Sequence, residues 1–178
     1  MGKYEIRLSG SGGQGLITGG IILAEAAILD GKNAVQTQSY GPEARGGASK
    51  AEVIISTDKI DFPKVRDCDI FLSLTQKSFD QYGKNVKENG IIIVDESIDT
   101  RNENKVIYSL PIIDTAYNVL GKPMVLNIVA LGVIAAITNV VSRNALEEAV
   151  LNRVPKGTEE LNKKALEMGY SIGKNAIK

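Results

Sequence analysis

The chain has 178 residues, with 21 lysines and arginines against 21 aspartates and glutamates, no histidine and one cysteine. That length makes one ordinary domain, and the even charge balance excludes a broad electrostatic nucleic-acid footprint. The lone Cys68 and the lack of histidine exclude a disulfide framework, most zinc sites, histidine-dependent triads and an iron–sulfur cluster held by four cysteines. No basic-then-apolar leader opens the sequence, so a cytoplasmic location is expected.

Residues 3–8 alternate polar and apolar side chains and predict a strand. SGSGGQG (9–15) follows, and then an apolar stretch that predicts a buried helix ending at Gly31. NAVQTQS (33–39) predicts a second strand, YGPEARGGA a polar glycine-rich loop, and KAEVIISTD (50–58) a third strand. The short apolar runs 70–74 and 91–95 read as buried parallel strands separated by a helix over 76–88. Residues 105–110 predict a strand that stops at Pro111, and DTAYNVLG a short helix.

The apolar stretch 124–141 carries Asn127, Thr138 and Asn139 and lacks a basic flank, so it predicts a core helix rather than a membrane span. An amphipathic helix is expected at 143–153. A last one is expected to start at Thr158 as N-cap, aided by Glu159 and Glu160, with Leu161, Ala165, Met168, Ile172 and Ala176 on its buried face. Alternating strands and helices predict an α/β fold, a single three-layer Rossmann-like domain with a mostly parallel sheet over 1–178. Residues 33–62 hold two strand patterns with no helix between them and predict a β-ribbon excursion.

Gly10, Gly12 and Gly15 satisfy the G-x-G-x-x-G spacing between a strand and a helix. A nicotinamide site also needs an acid at the end of the next strand, where this chain has Gln36, Gln38 and Ser39. A P-loop needs Lys-Ser/Thr where this chain has Leu16-Ile17. What remains is a choice between a tight turn and an anion cradle. In the cradle, Gly10, Ser11, Gly12, Gly13 and Gly15 bring backbone N–H groups to a ligand at a helix N-terminus, and Gln14 adds an amide.

The segment Ser39–Gly47, read as the loop after a parallel strand, is expected on the same sheet edge. There Gly41, Glu43 and Arg45 are candidate contacts, Arg45 as a fork for phosphate or carboxylate. The bland alternative is a solvated Glu43/Arg45 pair on a surface loop. Asn127, in the first turn of the most apolar helix, is expected either to cap free N–H groups there or to face a ligand. Cys68 reads as core, and the pair Asp95-Glu96 has no identifiable reactive partner. No residue is assigned as catalytic or metal-ligating.

GSGGQG, SYGPEARGG and NIVALG (127–132), in this order and over essentially the whole chain, resemble the gamma subunit of 2-oxoacid:ferredoxin oxidoreductases, most closely the 2-oxoglutarate type. Pyruvate-, branched-chain- and indolepyruvate-type subunits carry related motifs. The resemblance implies CoA-dependent oxidative decarboxylation of a 2-oxo acid to acyl-CoA and carbon dioxide, with electrons passed to ferredoxin. Thiamine diphosphate and iron–sulfur clusters are then expected on alpha, beta and ferredoxin-like delta partner subunits. This chain would bind CoA through residues 10–15, the 41–46 loop and Asn127, and would cover the active site. Neither nucleic acid nor membrane is an expected partner, and a dimer is one state open to the isolated chain. The competing reading is a stand-alone dinucleotide-binding module.

Overall fold

The computed structural model describes residues 2–40, 47–101 and 104–178. Strand β1 (Lys3–Ser11) leads through the glycine turn into helix α1 (Leu16–Leu29), which Gly31 ends at φ 75°. β2 (Asn33–Tyr40) and β3 (Ala48–Ser56) follow with no helix between them, then β4 (Cys68–Ser73), α2 (Gln76–Tyr82), β5 (Val86–Asp95) and β6 (Val106–Leu110). A short turn α3 (Ile112–Asp114) runs into a π-type turn (Thr115–Val119), and α4 (Leu126–Thr138), α5 (Arg143–Arg153) and α6 (Glu159–Ala176) complete the chain.

The six strands form one sheet in the order β2-β3-β1-β4-β5-β6. β1, β4, β5 and β6 are mutually parallel, and β3 is antiparallel to both β1 and β2. The ribbon expected near 33–62 is therefore present, built into the sheet, with β3 inserted between β1 and β2. Alternation along the strands sorts two faces. Ile6, Leu8, Ala51, Val53, Ile70 and Leu72 pack in one cluster with side chains of α1, α4, α5 and α6. Ile54, Cys68, Phe71, Ile92 and Val94 form the second, under Phe79 of α2, Val65 and Ile98. Helices on both faces give the three layers.

Buried among the second face's apolar residues, Arg7 of β1 donates to Glu52 at 2.8 Å, directly across on β3. Its guanidinium also donates to the carbonyls of Arg66 (3.1 Å) and Asn85 (3.3 Å), tying down the chain that crosses this face. Among the described residues no helix is long and apolar enough to cross a membrane. The apolar stretch at 124–141 yields α4, thirteen residues, stopped by Asn139 at φ 50°.

Two expectations shift. The helix foreseen over 76–88 is α2, and it ends at Tyr82 because β5 begins at the buried Val86, just before the exposed run Lys87, Glu88 and Asn89. Thr158 does not cap α6 with its side chain. Its hydroxyl instead donates to the Pro155 carbonyl at 2.6 Å and accepts from Asn162 at 3.1 Å.

Candidate functional site

The glycine stretch lies at the carboxyl edge of β1. Gly10 and Ser11 are its last two residues, Gly12 and Gly13 turn the chain, and Gly15 is the N-cap of α1. Gly13 (φ 86°) and Gly15 (φ 74°) occupy the left-handed region, which a side chain would strain. Around Gly12 and Gly13 a methyl group would find open space, whereas at Gly10 it would overlap the Gln14 carboxamide and approach Leu16 to 2.8 Å. Gln14 folds back, its Oε1 accepting from the Ser11 N–H at 2.8 Å. Its carbonyl thus braces the loop from within, where the sequence had suggested an amide aimed outward.

Among the described residues no side chain caps α1, and its first turn carries no acid. The first turn of a fourteen-residue helix thus starts beside the open glycines with no capping side chain among the described residues. That is the arrangement in which helix termini bind anions.

Asn127 arrives from α4. Its Nδ2 donates to the Gly15 carbonyl at 3.1 Å, the same oxygen that receives the Gly19 N–H at 2.9 Å. The bond ties the start of α4 to the start of α1, so Asn127 satisfies a carbonyl of another helix rather than the free N–H groups of its own. Its Oδ1 is buried and has no hydrogen-bond partner among the described residues. An unpaired buried acceptor costs about 1–3 kcal/mol.

Sequence reasoning missed the cleft beside this corner, about 170 Å³, lined in part by Thr18, Met124, Asn127, Val154, Thr158 and Asn162. Its polar members come from four separate segments, so no local motif announced it. A wider cleft of about 520 Å³ is lined by Glu25, Ile28, Leu29, Asn152 and Arg153, toward the other end of α1, and no candidate residue touches it.

The second loop starts where expected, for a different reason. It joins β2 to the antiparallel β3, yet Tyr40 and Gly10 both pair with Ser49, which puts the end of β2 on the same edge as the glycine stretch. Gly41, Glu43 and Arg45 lie outside the described residues.

Other polar or reactive side chains elsewhere in the chain are spoken for. Asp30 accepts from the Ser142 N–H and hydroxyl, both at 2.6 Å, and joins α1 to α5. The Asp95 carboxylate accepts from the Ser97 N–H and hydroxyl and from the Ile113 N–H, so it is a turn-holding group. Cys68 is fully buried. Loss of hydration pushes its thiol up to about 11 despite the opposing pull of the Arg7 charge, which makes it a core residue with little thiolate.

The family model of the pyruvate ferredoxin/flavodoxin oxidoreductases matches residues 5–172. The 2-oxoglutarate synthase subunit KorC of Methanocaldococcus jannaschii is 50% identical over 97% of this chain and 95% of its own length. The gamma subunit of a keto/oxoacid ferredoxin oxidoreductase from Geobacter sulfurreducens superposes with a TM-score of 0.88 at 51% identity, covering 99% of both chains. The same fold makes up 32% of a longer chain, the 2-oxoglutarate:ferredoxin oxidoreductase of Magnetococcus marinus with 2-oxoglutarate, coenzyme A and succinyl-CoA bound. There the TM-score is 0.87, at 21% identity over 98% of this chain. The matching reach from β1 through α6 and the shared gamma-subunit fold lead to one conclusion: this chain belongs to the pyruvate ferredoxin/flavodoxin oxidoreductase family, as a gamma-type oxidoreductase subunit.

Proposed function

We propose that this chain serves a cytoplasmic, thiamine-diphosphate-dependent 2-oxoglutarate:ferredoxin oxidoreductase as the subunit that holds CoA at the carboxyl edge of β1 and β2. One observation carries the reading: a helix N-terminus framed by open glycines and, among the described residues, without a capping side chain, with the buried Asn127 Oδ1 beside it, likewise without a partner among them. Anionic oxygens suit the first group and an N–H or O–H donor suits the second. CoA offers both, phosphates together with the hydroxyl and amides of its pantetheine arm. Inorganic phosphate alone supplies no such arm. The mixed lining of the neighbouring cleft suits that arm's alternation of alkyl and amide.

In this reading Gly10 and Gly15 set the loop's shape. The N–H groups of Gly12, Gly13 and the first turn of α1 meet phosphate, and Gln14 keeps Ser11 in place. Arg45, with Gly41 and Glu43 in the same loop, contributes the second contact. Thiamine diphosphate, when bound on the partner subunits, supplies the decarboxylation chemistry, and iron–sulfur clusters there carry electrons to ferredoxin. The alpha, beta and delta subunits are the partners this requires. Choice of 2-oxoglutarate is supported by the higher identity to 2-oxoglutarate synthase subunits than to pyruvate synthase subunits.

The test is reconstitution. The isolated chain turns nothing over, and activity appears with the partner subunits. Gly12→Ala and Arg45→Ala are expected to raise the KM for CoA roughly tenfold with little change in kcat. Tight NADH binding without CoA binding would return the site to a dinucleotide module. An unchanged CoA dependence would leave the loops a role in assembly only.

A further inference from the structure

We propose that the cleft between the starts of α1, α4 and α6 binds the amide N–H groups of the CoA arm, with Asn162 as the residue that selects them. This rests on the CoA reading and extends it to the direction in which the ligand lies. Two asparagines line the cleft, Asn127 in the first turn of α4 and Asn162 in the first turn of α6. They are 8% and 5% exposed, at positions where an apolar side chain would be less costly to bury.

What each amide binds fixes which way it points. Asn127 Nδ2 donates to the Gly15 carbonyl, and Asn162 Nδ2 donates to the Thr158 carbonyl at 2.9 Å and to its hydroxyl at 3.1 Å. A carbonyl can only accept, so both nitrogens are turned to the chain and both oxygens are left over. Among the described residues no donor reaches the Asn127 oxygen, and the side-chain hydrogen bonds of Asn162 all use its nitrogen. Thr158 follows the same pattern, its one hydroxyl hydrogen going to the Pro155 carbonyl at 2.6 Å. Arg153, which also borders the cleft, turns its Nε and Nη2 to Glu25. Among the described residues the buried polar side chains of this cleft therefore offer acceptors and no donor.

The glycine turn has the opposite polarity, because a helix N-terminus is positive. The two regions adjoin: Thr18 of the cleft stands in the first turn of α1, and Asn127 binds Gly15. A phosphate entering the cleft would meet lone pairs and the apolar Ile22, Val125, Ile128 and Val154. A secondary amide would find acceptors for its N–H and an apolar lining for its methylene groups. CoA therefore lies one way round, its phosphates on the glycine turn and its arm running past Asn127 to Asn162.

The test uses the complex assembled with its partner subunits and three kinds of ligand, compared by competition with labelled CoA. CoA carries phosphates and arm, adenosine 3′,5′-bisphosphate carries phosphates alone, and ester analogues of CoA lose the N–H of one or the other arm amide. The native complex should bind at least one ester roughly tenfold more weakly than CoA. Asn162→Leu should weaken CoA by a similar factor, leave the bisphosphate unchanged and no longer distinguish that ester from CoA. The variant keeps the start of α6, because the Asn162 backbone N–H still donates to the Thr158 carbonyl at 3.0 Å. Gly12→Ala serves as the reference and should weaken CoA and the bisphosphate together. Equal binding of CoA and both esters by the native complex overturns the proposal, whether or not the variant folds. So does an Asn162→Leu complex that keeps full CoA affinity, or one that loses the bisphosphate equally. If Gly12→Ala alters neither ligand, the CoA reading itself fails. If it weakens both while Asn162→Leu weakens neither, only the cleft assignment does.

Discussion

Among the described residues, Asn127 holds one hydrogen bond, to the Gly15 carbonyl, and one buried oxygen without any. Removing both at once separates structural from functional weight. Leucine has a similar volume and no polar atoms, so Asn127→Leu loses a hydrogen bond worth about 1 kcal/mol and relieves an unpaired acceptor of similar cost. The urea midpoint should therefore move little, while CoA affinity measured by titration should fall. A large loss of stability with unchanged CoA binding would make the residue a strut and nothing more. Gly15 is less forgiving, since its left-handed φ and a would-be methyl 2.7 Å from the Asn127 amide leave no room for a side chain.

At the scale of elements, the tightest contact is between α4 and α6. A methyl on Gly132 would stand 2.5 Å from the Leu166 carbonyl oxygen, and one on Gly169 would overlap the carbonyl of Val129. These are backbone atoms that cannot swing aside, so Gly169→Ala should cost about 1–3 kcal/mol, read as a lowered melting temperature. The same glycines explain what the sequence concealed. The face foreseen for α6 ran through Leu161, Ala165, Met168, Ile172 and Ala176. Of these Ala165 is buried and the other four are half-buried, because the face that packs is Ala165, Leu166, Gly169 and Gly173. Glycine carries no hydropathy signal, so a packing face made of glycines shifts the apparent stripe. The early end of α2 was hidden for a related reason: after its first residue, the buried Val86, β5 continues with the exposed run Lys87, Glu88 and Asn89, which lacks strand alternation. By contrast β1, α1 and the glycine turn were legible because period, stop signal and motif coincide there. The link from Asn127 to Gly15 spans 112 residues, beyond any local pattern.

For the molecule as a whole, burial of Cys68 predicts a pH limb to stability. Its folded pKa of about 11 lies above the ordinary 9.0, so its contribution is intact below pH 9 and is lost as pH rises toward 11, when only the unfolded chain has released the proton. Two pH units correspond to about 2–3 kcal/mol. Denaturant titrations of the wild type should show this fall, and Cys68→Ala should flatten it from a lower starting stability. A further consequence belongs to β3. Ser49 stands between Gly10 and Tyr40, and Arg7 faces Glu52 three residues further along β3. A slip of one residue would turn Glu52 to the opposite face and strand the Arg7 charge in the interior. The ion pair is thus a detent on a sliding rule. It holds the starting points of the two glycine-rich loops two strand widths, about 10 Å, apart. Substitutions within either loop can retune what is gripped, but the gauge between the grips is set by a strand that belongs to neither.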